Sequence, residues 1–94
     1  MHYANLSLAE PTRTIRVPSE TIRTHQIQVV AGQGVSGTLS VYGRTPAASG
    51  WGKLGDITLG ATPDIKIMEG VYAELRFVPP AETGYSYGVH YVGW

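Results

Sequence analysis

Gly32, Gly34 and Gly37, within VVAGQGVSGTLSVYG (residues 29–43), fall at the spacing G-x-G-x-x-G. Where that spacing ends a strand and opens a helix, the backbone approaches a pyrophosphate held by the helix N-terminus. QIQVV before it reads as a strand, and Asp56 follows Gly37 at the distance of a ribose-binding acid. The TLSVYG that comes next, however, alternates with period two and holds β-branched residues. That pattern predicts a second strand, with no helix end to receive phosphate. The glycines therefore read as a hairpin loop, and no cofactor is expected.

Other chemistry is no better supported. No serine stands in G-x-S-x-G. The chain has no cysteine, which removes thiolate ligands, disulfides and thiol nucleophiles. His2, His25 and His90 form no H-x-H or H-x₃-H pair, so no metal site is expected. His25 and His90 read as surface or cross-strand histidines. A register setting Phe77 opposite Tyr85 brings Tyr72 and Glu74 near His90, but a polar sheet face makes such neighbours without catalysis. With neither nucleophile nor acid–base pair, the chain reads as non-enzymatic.

The aromatic residues carry more information. Tyr42, Tyr72, Tyr85, Tyr87, Tyr91, Trp51 and Trp94 are mostly amphipathic rings, which suit sheet surfaces and interfaces alike. Trp51, in SGWGKLG, has little local cover from its glycine neighbours. Trp94 follows GVHYVG and needs a surface to pack on. Arg44 and Arg76 share outward strand faces with Tyr42 and Tyr72. Tyr, Trp and Arg favour interface centres. The candidate interface is therefore Trp51, Trp94, Tyr42, Arg44, Tyr72 and Arg76, joined by Leu6 and Leu8 near the N-terminus.

Twelve glycines and six prolines punctuate the 94 residues and argue against long helices. Alternation marks seven short strands, around Ile15/Val17, Ile27/Val29, Leu39/Val41, Ile57/Leu59, Ile65/Ile67, Val71–Phe77 and Tyr85–Tyr91. Strands at such spacing predict an all-β fold, one small antiparallel β-sandwich over residues 12–94. A three-residue loop, Met68-Glu69-Gly70, sets Ile65 and Ile67 opposite Ala73 and Val71 and so predicts a hairpin with one apolar face. Residues 1–11 read as an N-terminal arm or extra edge strand. TPAASGWG (45–52) and VPPAETG (78–84) read as surface loops.

Composition bounds the partners. Seven basic residues balance seven acidic ones, so no net field favours nucleic acid or an anionic membrane. No apolar run reaches the length of a membrane span or follows a basic region as in a signal peptide. Synthesis inside a cell without export is expected.

The stretches VSGTLSVYGRTPAASGWGKLGDITL and KIMEGVYAELRFVP, in a cysteine-free sandwich with a short arm, give the chain a texture that resembles the small cement or decoration proteins of tailed bacteriophages. The resemblance covers most of the chain from about Thr12 and is one of architecture. It implies a jelly-roll-like sandwich, a homo-oligomer such as a trimer, a virion location, and a protein partner such as a major capsid protein. It implies no small-molecule substrate. On this expectation, Trp51→Ala or deletion of residues 1–10 weakens assembly and leaves the monomer folded. The alternative is a carbohydrate- or receptor-binding module, with Trp51, Tyr85 and Tyr87 stacking on sugars and Arg44, Asp56 and Gln28 donating or accepting hydrogen bonds.

Overall fold

A computed structural model describes residues 1–8, 12–31, 37–59, 64–80 and 87–94. It contains eight strands: β1 (His2–Leu8), β2 (Arg13–Arg16), β3 (Thr24–Ala31), β4 (Gly37–Arg44), β5 (Gly52–Leu59), β6 (Asp64–Glu69), β7 (Glu74–Val78) and β8 (Tyr87–Gly93). They form two four-stranded antiparallel sheets packed face to face. The front sheet has the order β1-β8-β3-β6 and the back sheet β2-β7-β4-β5.

This order has a simple origin. β4 and β5 pair across the loop that joins them, β3 pairs with β6, β2 with β7 and β1 with β8. The chain is one long nested hairpin, with its tip between β4 and β5, rolled so that β8 also meets β3 and β7 also meets β4. That arrangement is the eight-stranded jelly roll.

Alternation supplies the core. Leu39 and Val41 of β4, Ile57 and Leu59 of β5, Leu75 and Phe77 of β7, Ile27 and Val29 of β3, and Val89 and Tyr91 of β8 all point between the sheets and are buried. A bulge in β5 interrupts the pattern: Val41 pairs with Gly55, and Tyr42 with Lys53. The extra residue, Leu54, packs on the core, and Lys53 is turned outward beside Tyr42.

Several expectations change, but of the two forms expected for the N-terminal residues the edge strand holds: residues 2–8 pair with β8 in register from His2↔Gly93 to Leu8↔Tyr87. Strands therefore number eight among the described residues, one more than alternation alone indicates. β3 and β4 lie in different sheets and so do not pair as the hairpin expected on either side of the G-x-G-x-x-G segment. Gly37 begins β4 with φ +108°, and residues 32–36 lie outside the described residues. The Met68-Glu69-Gly70 hairpin is likewise absent. β6 pairs with β3 in the front sheet, β7 belongs to the back sheet, and Val71–Ala73 precede it. Nor do β7 and β8 pair, so His90 stands opposite Asn5 and Gln28 rather than Tyr72.

His25 corrects another reading. It is fully buried, on the inward side of β3 with Ile27 and Val29. Its Nε2–H donates to the Gly70 carbonyl at 2.9 Å, which leaves Nδ1 to accept from the Tyr91 hydroxyl at 2.6 Å. Gly70 can aim its carbonyl there because its φ of +140° suits glycine alone, and its own N–H donates to the Arg23 carbonyl. The Tyr91 ring in turn occupies space that a Cβ on Gly93 would enter, 2.9 Å from Tyr91 Cζ.

Burial pushes the Tyr91 hydroxyl up to about 12. The unfolded chain ionises this group near pH 10, whereas the folded chain keeps its proton to about pH 12. The stabilisation is thus complete below pH 10 and is lost as pH rises from 10 to 12, by about 2–3 kcal/mol at most. Urea unfolding at pH 8 and 11.5 should show this loss in the native protein and a smaller one in Tyr91→Phe. Equal losses in both would place the alkaline sensitivity elsewhere.

Candidate interaction surfaces

The outer face of the back sheet gathers half of the sequence-derived candidates. β4 and β7 set Arg44 beside Glu74 and Tyr42 beside Arg76. The Arg44 Nη2 and Nε donate to Glu74 Oε1 at 2.5 and 3.1 Å, and Nη1 donates to the Ala48 carbonyl at 3.0 Å. One guanidinium thus ties the sheet to the β4–β5 loop. That loop brings Trp51 back over the face, where the Arg76 guanidinium carbon lies 4.0 Å from the ring centroid and that of Arg44 6.0 Å. Trp51 is half-buried. Its cover comes from Arg44 and Arg76 rather than from its glycine neighbours. The buried Nε of Arg76 has no hydrogen-bond partner among the described residues.

The bulge completes this face. Lys53 Nζ lies 3.0 Å from Asp56 Oδ1, and Ser40 Oγ donates to the same oxygen at 3.0 Å. The hydrogen bonds from Lys53 and Ser40 hold the Asp56 carboxyl below the usual carboxylate range, and Asp56 holds the Lys53 ammonium above its ordinary value. Both groups are exposed, so solvent screens the pair.

The front sheet is different. Its register places Tyr3, Val92, Gln26 and Ile67 in one outward row and Asn5, His90, Gln28 and Ile65 in the next. The exposed large apolar side chains among the described residues are Met1, Tyr3, Val30, Ile65, Ile67 and Trp94. All belong to the front sheet or its ends, and none to the back sheet. His90 Nδ1–H donates to Asn5 Oδ1 at 2.7 Å within this face. The only charged side chain on it, among the described residues, is Glu69 at the rim.

Ile65 and Ile67 were expected to face the core. They face out, 52% and 60% exposed, while Met68 is buried and Lys66 lays its stem over Gly55. A Cβ on Gly55 would stand 2.5 Å from Lys66 Cε, so this glycine makes the inward path of a lysine possible.

The remaining candidates scatter. Tyr72 does not join Arg76 on the back face; it packs toward the core, its ring 5.3 Å from that of His25, with its hydroxyl donating to the Glu69 carbonyl at 3.1 Å. Leu6 packs on the core from β1. Leu8 pairs through its backbone with Tyr87, and the side chains of both lie outside the described residues. Trp94 is 46% exposed at the end of the front sheet, its N–H donating to the Thr24 carbonyl and its carbonyl accepting from Arg23 and Thr24. Thus Trp51, Arg44, Arg76 and Tyr42 come together; Trp94, Tyr72, Leu6 and Leu8 do not join them. The proposed sugar set also divides, with Trp51, Arg44 and Asp56 on the back face, Gln28 on the front, and Tyr85 outside the described residues.

Among the described residues, no three His, Asp or Glu side chains gather to hold a metal ion, and no helix is long and apolar enough to cross a membrane. No protein-family model matches the chain, and no curated protein matches it.

Proposed function

We propose that the protein is a non-enzymatic structural component of a virion, of the cement or decoration type, that self-associates and clamps onto a protein lattice. The observation that carries this reading is the Trp51 ring held against Arg76 and Arg44 on the outer face of a jelly roll. Trp, Tyr and Arg are the side chains most enriched among residues that dominate protein–protein binding. Here β4, the loop that follows it and the sequence-distant β7, with one ion pair, position such a set in advance, which lowers the ordering cost of binding. Jelly rolls also build viral capsid domains, a fold-level analogy that supports the reading without assigning it.

The test uses purified capsid shells stripped of accessory proteins. The chain should bind them saturably, at a fixed number of copies per shell, and raise the temperature at which shells open. Trp51→Ala should weaken that binding at least about 10-fold, since truncation at an interface centre costs about 2 kcal/mol or more. No saturable binding to shells would remove the reading.

A carbohydrate-binding module is the second reading, favoured by Trp51 standing beside Arg44 and near the Lys53–Asp56 pair. Arg76 covers the ring at 4.0 Å, so a sugar would have to stack on what remains open or displace the guanidinium. Glycan-array binding at micromolar concentration, abolished by Trp51→Ala, would favour this reading over the first.

A further inference from the structure

We infer that the outer face of the front sheet is the surface through which two copies of the chain pair, face to face, about a two-fold axis. The inference rests on the self-association included in the reading above and assigns it a surface. It draws on residues that the Trp51 cluster does not touch.

The occupant follows from charge and pattern. A two-fold along the strands sets each strand column of a face against a different column of its copy, so a face suits itself when the columns it exchanges match. The back face carries Arg16, Arg44, Arg76 and Lys53 against Glu74 and Asp56, and none of the exposed large apolar side chains among the described residues. Apart from the α-amino group of Met1 at its β1 margin, the front face has no cation among the described residues and only Glu69, at the rim. Its apolar side chains lie largely toward the margins, Met1 and Tyr3 by β1 and Ile65 and Ile67 on β6, with Gln26, Gln28 and His90 between them. A two-fold along the strands sets the β6 column of one copy on the β1 column of the other and the amides of β3 on β8. Apolar groups then meet apolar groups at both margins, and amide and imidazole groups pair in the middle.

Size fits a pair of modest affinity. Four strands about 4.8 Å apart and seven residues of about 3.3 Å give a footprint of roughly 500 Å² per copy once side chains are included. Stable interfaces bury about 800 Å² per partner, so dissociation at micromolar concentrations is expected. A trimer, which the resemblance implies, needs two different patches on each copy; a self-complementary face predicts a dimer.

The experiment is sedimentation equilibrium on the full chain from 5 µM to 1 mM. The native protein should shift from monomer to twice that mass. Ile67→Lys and, on β3, Val30→Lys should each weaken the pair at least about 100-fold, because each dimer then buries two unpaired charges. Thr58→Lys, the same charge on the exposed back face, should leave the mass distribution unchanged, and circular dichroism should show all three variants folded. Self-association that survives both front-face lysines, or that Thr58→Lys abolishes, overturns the face and leaves self-association standing. A trimer overturns the two-fold. A monomer at 1 mM overturns the pairing altogether, whereas binding to capsid shells is decided separately by the shell experiment.

Discussion

Replacing His25 with leucine should destabilise the sandwich by about 3–5 kcal/mol, a large share of the 5–15 kcal/mol that holds a domain folded. Leucine matches much of the volume but none of the hydrogen bonding. The buried Tyr91 hydroxyl loses its acceptor, and the partly buried Gly70 carbonyl loses its donor. Each buried group left without a partner costs about 1–3 kcal/mol. Contacts with the rings of Tyr72 and Tyr91, 5.3 and 5.8 Å away, are lost as well. Urea unfolding should show a lower midpoint at unchanged slope. The double variant His25→Leu/Tyr91→Phe should recover about 1 kcal/mol relative to His25→Leu, because one stranded hydroxyl is gone. A cost below 1 kcal/mol for His25→Leu would mean that the network contributes little to holding this end of the sandwich folded.

Deleting residues 1–10 should unfold or aggregate the chain, in contrast to the expectation that an arm can be removed from a folded monomer. β1 contributes the whole ladder from His2↔Gly93 to Leu8↔Tyr87 and packs Ala4 and Leu6 on the core. Leu6 is half-buried, and loss of its packing alone costs about 1–2 kcal/mol. Its removal also uncovers the flank of Val89 and Tyr91 and leaves β8 as an open edge, a template for pairing with other chains. Thermal melting followed by circular dichroism, with sedimentation to detect aggregates, should show loss of the cooperative transition or a fall of more than 10 °C. A truncated chain melting within a few degrees of the full one would make β1 peripheral.

The physical logic of a nested hairpin explains which parts of this molecule are readable locally. Leu39/Val41, Ile57/Leu59, Leu75/Phe77 and Ile15/Val17 point inward as their period-two spacing predicts, because burial on one face of a strand is a property of the strand itself. His25 was legible too, since it shares the parity of Ile27 and Val29, but its residue type argued for the surface. The acceptor and donor that make its burial tolerable come from Gly70 and Tyr91, 45 and 66 residues away. Ile65 and Ile67 misled for the opposite reason. On an edge strand the inward side was settled by Met68 and by the space that Gly55 leaves for Lys66, which no alternation records. The Met68–Gly70 hairpin failed because register rules choose between pairings within one sheet and say nothing about a chain that leaves it.

At the candidate surfaces the division is the same. The sequence by itself determined the all-β class, the two-sheet sandwich, most of the core and the residue types, Trp51, Arg44, Arg76 and Tyr42, that assemble on the back face. Only the tertiary structure decided that Tyr72 turns inward, that Trp51 rests on Arg76, and that the exposed apolar side chains share the front face. Strand pattern is fixed by neighbours two residues apart. Which strands lie side by side is fixed by closing the core over the whole chain, where residue 2 must find residue 93.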